Sequence, residues 1–111
     1  MFYTRTNINT IDELNDKFGK FNLNTTKTFY KNNKIIGYVD YFVIENSLYI
    51  KNMVVSRKRN GYGTDIVLHI LSNNNIIEII GYSINKYTDE FWKSLGCKID
   101  SDGKFILNGG G

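Results

Sequence analysis

A short basic segment with two glycines, Lys58 to Thr64, separates two stretches of very different pattern. The stretch before it, Ser47 to Val55, is rich in β-branched and aromatic residues and predicts a strand. After it, apolar residues recur at helical spacing and predict a helix from about Tyr62 to Asn73. The compact apolar run Ile76 to Tyr82 then predicts a central strand that is covered on both faces. A strand, a helix and a strand in this order form a crossover, so we expect the two strands to be parallel.

The segment Lys58 to Thr64 has the features of a phosphate-binding turn. Its glycines let the backbone approach a ligand closely, and the helix that follows presents N–H groups with a partial positive charge. Basic side chains add charge-assisted hydrogen bonds. The turn follows the carboxyl end of a strand, where open sheets bind ligands. Two other interpretations stay open: the glycines only start the helix, or the basic run Arg57 to Arg59 is a solvated loop or a nucleic-acid contact.

The remaining pattern predicts one mixed α+β domain over residues 1–108, followed by a flexible tail, Gly109 to Gly111. Thr10 is the expected N-cap of a first helix, with Glu13 completing a capping box. The other predicted elements are a first strand within Met1 to Asn7, an antiparallel meander of Thr28–Lys31, Ile35–Ile44 and Ser47–Val55, a helix from Asn85 to Leu95, and a closing hairpin of Lys98–Ile99 with Lys104–Leu107.

Composition limits the class of protein. A chain of 111 residues with 41% apolar residues is long enough for one domain with a real core. The single cysteine, Cys97, and the single histidine, His69, exclude a disulfide framework and a Cys- or His-clustered metal site. The net charge of +3 tolerates anionic ligands but falls short of a nucleic-acid signature. No apolar run reaches the length of a membrane span and no signal-peptide core is present, so we expect a cytoplasmic protein.

Two motifs in this order resemble the GNAT superfamily of N-acetyltransferases. The family signature Gln/Arg-x-x-Gly-x-Gly/Ala is similar to Lys58–Gly63, with lysine at its first position. A family helix of the form Asn-x-x-Ala-x-x-Phe-Tyr-x-x-Leu-Gly-Phe resembles Asn85–Cys97, with Phe91-Trp92 and Leu95-Gly96 in register. The strand Ile35–Val39 also resembles the family's "ivGyv" strand. The resemblance covers roughly Thr28 to Ile99 and implies a mostly antiparallel central sheet flanked by helices.

The resemblance implies acetyl-coenzyme A as co-substrate and direct transfer of its acetyl group to an amine in a ternary complex. Backbone groups near Met53, Val54 and Val55 would bind the pantetheine amides and position the thioester carbonyl, between the strand ending at Val55 and the strand containing Ile79. Asn85 would contact the cofactor arm, and Trp92 occupies a position at the cofactor site. The residues implied to hold the pyrophosphate are Lys58, Arg59, Asn60, Gly61, Tyr62, Gly63 and Thr64.

The proton-transfer groups are less well defined by the pattern. Trp92 stands where the family has a tyrosine that serves as a general acid, and an indole cannot protonate a thiolate. Tyr87, Tyr82 or water would then supply that proton, or transfer activity is lost. Carboxylates that could act as the general base are Glu45, Asp40 and Glu78, the last inside an apolar run where burial favours a carboxyl that takes up a proton. A carboxylate on a strand is more often part of a solvated face.

Three functions from different classes therefore follow from the sequence. The first is an N-acetyltransferase acting on an amine of a protein, a peptide or a small molecule. The second is a protein that keeps the fold but has impaired catalysis, for example a viral effector of a host protein. The third is a small nucleic-acid-binding domain that uses the basic turn. In the resembling family the acceptor site would be built by Thr10–Leu23 and Cys97–Leu107, and a short first helix region favours an open groove that suits a protein or peptide.

Overall fold

The structure, a computed structural model, describes residues 1–56, 61–82 and 86–108, without the side chains of 86–88 and 108. Across these residues it has three helices and one seven-stranded sheet of order β1-β2-β3-β4-β5-β7-β6, which is the predicted mixed α+β class. In chain order the elements are β1 (Phe2–Arg5), α1 (Ile8–Phe18), β2 (Thr26–Lys31), β3 (Lys34–Ile44), β4 (Ser47–Val55), α2 (Tyr62–Asn73), β5 (Glu78–Tyr82), α3 (Lys86–Ser94), β6 (Lys98–Ile99) and β7 (Lys104–Asn108).

The predicted crossover through α2 is confirmed, because β4 and β5 pair in parallel. Their ladder runs from Ser47 opposite Glu78 to Ile50 opposite Gly81, and β4 continues beyond it to Val55. The pairs β1–β2, β2–β3, β5–β7 and β6–β7 are antiparallel. The predicted hairpin of β6 and β7 is therefore confirmed, and so is the expectation of a mostly antiparallel sheet.

By its internal contacts the chain forms two compact units. The first comprises Met1–Tyr41 and Lys51–Asn73, and the second comprises Phe42–Ile50 and Asn74–Gly111. The predicted single domain over residues 1–108 stays a prediction, and the predicted glycine tail lies outside the described residues.

The first unit buries apolar side chains against both α1 and α2. Helix α1 contributes Ile11 and Leu14 to a cluster with Phe21, against which Tyr38 and Val54 pack. Helix α2 has its own buried residues, Ile66, Val67 and Ile70. Phe29 on β2 is fully buried and its ring meets the His69 ring of α2 edge to face at 6.2 Å. Helices with such apolar stripes are held in place mainly by this burial.

The second unit has its core around Phe105 of β7. Phe105 is fully buried and stacks on Trp92, while Leu48 and Ile79 are buried in neighbouring strands. Gly81 is necessary at its position because a Cβ there would collide with the Phe105 ring and lie 3.0 Å from the Ile50 carbonyl oxygen. The missing side chain of this glycine thus makes room for an aromatic ring in the core.

Two local predictions are wrong, each for a physical reason. Helix α1 is capped by Asn7 rather than Thr10, since Asn7 Oδ1 accepts the Thr10 backbone N–H at 2.9 Å. Asparagine is as good an N-cap as threonine, and it comes first in the chain. Strand β5 starts at Glu78, and the exposed fractions of Ile77 and Tyr82 are 56% and 63%. Only the middle of the apolar run is therefore covered, at Ile79 and Gly81.

Candidate functional site

The start of α2 is organised by Gly61. This residue has φ 75°, a left-handed conformation that favours glycine, and no atom of the described residues lies within 4 Å of where its Cβ would be. The Gly61 carbonyl accepts the Asp65 N–H at 2.9 Å, a helical hydrogen bond at the start of α2. The N–H groups of Tyr62 to Thr64 precede that bond and have no acceptor inside the helix. A helix start of this kind can receive an anion.

The carboxyl end of β4 leads into this helix and is held against β3. The Ser56 N–H donates to the Ile36 carbonyl at 2.8 Å. A Cβ on Gly37 would lie 2.7 Å from the Val54 carbonyl oxygen and 2.8 Å from Ile66 Cδ1. The glycine of the "ivGyv" strand therefore lets β3 approach both β4 and α2 closely, which defines where the strand ends and the helix begins.

An ion pair between Lys31 and Asp65 offsets the negative charge of Asp65 at the start of α2. Lys31 Nζ lies 2.6 Å from Asp65 Oδ2, and the two side chains are 43% and 32% exposed. A carboxylate in the first helical turn stabilises the helix but repels an incoming phosphate, so the lysine ammonium offsets that repulsion. Sequence reasoning missed Lys31 because 34 positions separate it from its partner and no motif connects them.

Apart from Trp92, the predicted cofactor-binding residues fall into two groups. Lys58, Arg59, Asn60 and Asn85 lie outside the described residues, so their roles stay predictions. Of the others, Met53, Val54 and Val55 are partly buried on β4, Gly61 is exposed, Gly63 is buried, and Tyr62 and Thr64 are partly buried at the start of α2. The first unit contains all seven of these described positions, on β4, at the residue before α2 and in the first turn of α2.

The backbone N–H of Met53, one of the predicted cofactor-binding residues, already makes a hydrogen bond within the chain. The Met53 N–H donates to Asn52 Oδ1 at 3.0 Å, and Asn52 Nδ2 donates to the Lys20 carbonyl at 3.3 Å. Asn52 was not among the predicted site residues. An asparagine within a strand is unfavourable for β-structure, and this is the signal by which it could have been found.

Two of the predicted general bases lie at the starting end of β4 and β5. Glu45 is exposed in the β3–β4 turn with φ 56°. Glu78 opens β5, and its Oε2 accepts the Ser47 hydroxyl at 2.6 Å. A role for either glutamate as a base stays a prediction.

The third carboxylate, Asp40, is 1% exposed and is engaged by the chain itself. Its two oxygens accept the Asn22 N–H at 2.9 Å and the Thr25 hydroxyl at 2.5 Å. Both contacts fasten the segment that follows α1 to β3. A buried carboxylate with both oxygens occupied in this way is a structural group.

Trp92 and Cys97 lie in the core, whereas Tyr82 lies at the surface. Trp92 is 3% exposed and stacks on Phe105, with Phe91 edge-on to it at 4.8 Å. Its predicted contact with a cofactor stays a prediction. Tyr82 ends β5 and is 63% exposed, whereas the side chain of Tyr87 lies outside the described residues. Cys97 is buried, and burial raises the pKa of its thiol, which agrees with a role in the core.

Among the described residues there is neither a metal-binding cluster nor a membrane-spanning helix. No cluster of three or more His, Cys, Asp or Glu side chains in them is arranged to hold a metal ion. Within the same ranges, every helix is too short or too polar to span a bilayer.

No model of a known protein family matches the chain, and no curated protein matches its sequence. Solved structures do match. YhhK of E. coli, bound to coenzyme A, has a TM-score of 0.72 at 12% identity over 97% of this chain and 96% of that one. The N-acetyltransferase YlbP of Bacillus subtilis, in complex with coenzyme A, has a TM-score of 0.66 at 15% identity over 96% and 95%.

A third match is the PaiA N-acetyltransferase of Thermoplasma acidophilum in complex with coenzyme A. Its TM-score is 0.58 at 18% identity over 73% of this chain, and the matched part spans 57% of the PaiA chain. At identities this low the likeness is one of fold. The chain has the GNAT N-acetyltransferase fold, as the two sequence motifs predicted.

Proposed function

We propose that this chain binds acetyl-coenzyme A and transfers the acetyl group directly to an amine in a ternary complex. The observation that supports this most is the start of α2. Gly61 opens α2 with a positive φ, and the N–H groups of the first turn have no acceptor inside the helix. Helix α2 belongs to the parallel crossover between β4 and β5 in a GNAT fold. YhhK, YlbP and PaiA, which share the fold, were solved with coenzyme A.

In this proposal the pyrophosphate binds at the start of α2. The N–H groups of Tyr62, Gly63 and Thr64 donate to phosphate oxygens, and the helix dipole favours the negative charge. Lys58 and Arg59 add positive charge from the preceding turn, with Asn60 beside them. The pantetheine arm extends along Met53 to Val55, and Asn85 contacts it from the start of the helix motif.

The chemistry is an attack of a neutral amine on the thioester carbonyl carbon. The C–N bond forms, the C–S bond breaks, the amine loses a proton to a base, and the thiolate of coenzyme A takes up a proton. In this proposal the Met53 N–H, which donates to Asn52 Oδ1 in the structure, donates instead to the carbonyl oxygen, where negative charge develops. Tyr87 and Tyr82 are the proposed proton donors, and of these Tyr82 ends β5 and is 63% exposed. Glu45 and Glu78 are the proposed bases, acting through water.

A second candidate function is cofactor binding without transfer. The burial of Trp92 favours it, because the position that resembles the family's tyrosine holds a core residue without an acidic proton. The acceptor amine is then irrelevant and the protein acts by binding a partner.

Calorimetric titration with acetyl-coenzyme A tests the binding step. A matched pair of variants isolates the helix start: Gly61→Asn, which tolerates a positive φ and is neutral, and Gly61→Glu, which adds a negative charge. We expect Gly61→Asn to retain binding and Gly61→Glu to abolish it, with circular dichroism confirming that both are folded. Absence of binding to the unmutated protein would overturn both candidate functions.

Thiol release in the presence of a panel of amines separates transfer from binding alone. We expect coenzyme A to be released with at least one amine, and the Tyr82→Phe variant to lower kcat with little change in the affinity for acetyl-coenzyme A. Binding without release for any amine would favour the second candidate. Salt-sensitive binding to an oligonucleotide without any binding of acetyl-coenzyme A would point to a nucleic-acid function.

A further inference from the structure

The side chain of Asn52 on β4 connects two backbone groups that are 33 residues apart. Its Oδ1 accepts the Met53 N–H at 3.0 Å, and its Nδ2 donates to the Lys20 carbonyl at 3.3 Å. The planar amide of Asn52 makes both hydrogen bonds at once. A rotation that breaks one of them therefore also disturbs the other. The Met53 bond is partly buried and therefore less open to competition from water, whereas the Lys20 bond is exposed.

Lys20 belongs to segment 19–26, which follows α1 and includes the first residue of β2. Side chains of α1 and β3 also hold this segment. Asn15 on α1 bonds both backbone groups of Phe21. Asp40 on β3 accepts from Asn22 and Thr25. Among the described hydrogen bonds, that of Asn52 fastens segment 19–26 to β4. This attachment is the one that involves a strand of the proposed cofactor site.

A ligand carbonyl and Asn52 Oδ1 compete for the same donor. The Met53 backbone has one N–H, and a thioester carbonyl that reaches it must displace the amide oxygen. The exchange replaces one neutral hydrogen bond with another, so it costs little and can proceed in either direction. Once displaced, the Asn52 amide is free to turn, and its bond to Lys20 is no longer oriented.

We propose that Asn52 is a positioning residue that couples binding of the acyl group to segment 19–26. In the free protein its amide holds the Met53 N–H and the Lys20 carbonyl together. The thioester carbonyl of acetyl-coenzyme A takes the N–H, and the Asn52 amide then no longer holds the Lys20 carbonyl in place. This inference rests on the proposed function and adds to it the group of the chain that the acyl carbonyl displaces.

Replacing the amide tests the competition. Asn52→Ala frees the Met53 N–H, so we expect the dissociation constant for acetyl-coenzyme A to fall about two- to tenfold, the value of one net hydrogen bond. Coenzyme A has no thioester carbonyl, and its affinity should not change. Asn52→Asp keeps an acceptor for the N–H, now charged, and loses the donor to Lys20, so it should weaken acetyl-coenzyme A binding. Asn9→Ala, at an exposed position of α1, is the control.

A second measurement uses the unmutated protein. The Met53 amide proton, followed by NMR, should shift on addition of acetyl-coenzyme A and much less on addition of coenzyme A. If the unmutated protein binds neither ligand, the proposed function is wrong. If it binds both and Asn52→Ala changes neither affinity, or improves both equally, the coupling is wrong while the proposed function stands. An equal Met53 shift with both ligands would also overturn the coupling.

Discussion

The indole of Trp92 stacks on the ring of Phe105, with centroids 4.1 Å apart and planes 18° apart. Their exposed fractions are 3% and 0%, so both rings are part of the core of the second unit. The position that resembles a proton-donating tyrosine thus contributes to stability. Any proton for a leaving thiolate must come from another side chain or from water.

Trp92→Ala should lower the free energy of unfolding by about 3–5 kcal/mol, because it leaves a large cavity beside Phe105. Trp92→Tyr should cost less and should not increase thiol release, since its hydroxyl would enter the core rather than the reaction site. Urea unfolding and the thiol assay measure the two effects. Phe91→Ala, at a partly buried neighbour, is the comparison and should be milder. A rise in turnover with Trp92→Tyr would contradict this assignment.

Gly37→Ala should destabilise the first unit by about 1–3 kcal/mol through overpacking. The added methyl group would lie 2.7 Å from a backbone carbonyl, which cannot move without displacing β4. The measurement is the urea midpoint of the variant against that of Ile35→Ala, two residues earlier on the same strand and 44% exposed. Equal midpoints for the two variants would show that β3, β4 and α2 are less closely packed than the structure indicates.

Lys31→Met should weaken acetyl-coenzyme A binding about two- to fivefold, because it leaves Asp65 uncompensated near the proposed pyrophosphate. The expected loss of affinity is small because both side chains are partly exposed, and high salt should reduce this loss further. The double variant Lys31→Met with Asp65→Asn removes both charges and should recover most of the affinity. Titration calorimetry distinguishes these cases, and failure of the double variant to recover would point to direct contact between Lys31 and the ligand.

His69 should make the stability of the protein depend on pH. Burial lowers the pKa of His69 from its ordinary value of 6.5, and the amino terminus adds a smaller effect in the same direction. As the pH falls, the unfolded chain therefore takes up this proton before the folded one. The contribution of neutral His69 to the free energy of unfolding is complete above pH 6.5. It is lost as the pH falls through the lower pKa of His69 in the folded state.

The matched measurement is the urea midpoint of the unmutated protein and of His69→Gln between pH 7.5 and 5. Carboxylates titrate in both proteins, so the difference between the two profiles reports His69 alone. We expect the unmutated protein to lose more stability than the variant as the pH falls. A smaller loss would mean that the imidazolium, rather than the neutral ring, is favoured beside Tyr3 and Phe29.

Local periodicity was sufficient to predict most elements. The helix Tyr62–Asn73 has the predicted bounds, and Asn32 and Asn33, which join the predicted strands Thr28–Lys31 and Ile35–Ile44, have φ 52° and 64°. The order strand, helix, strand was sufficient to predict that β4 and β5 are parallel. A helix that connects two neighbouring strands of one sheet forms a crossover, and a crossover joins parallel strands. The cap of α1 was not predictable in the same way, because Asn7 and Thr10 are comparable caps and their choice depends on where the chain leaves β1.

By itself, the sequence determined the fold and the helix start at Gly61, because both follow from residues that are close together along the chain. Only the tertiary structure decided which polar groups are free to act. Asp40 is engaged by Asn22 and Thr25, Trp92 is covered by Phe105, and Asn52 holds the Met53 N–H. For Asp40 and Trp92, the partner is remote in sequence and reaches its place only when the chain packs. A motif can therefore propose a catalytic group, but packing determines whether that group has a partner already.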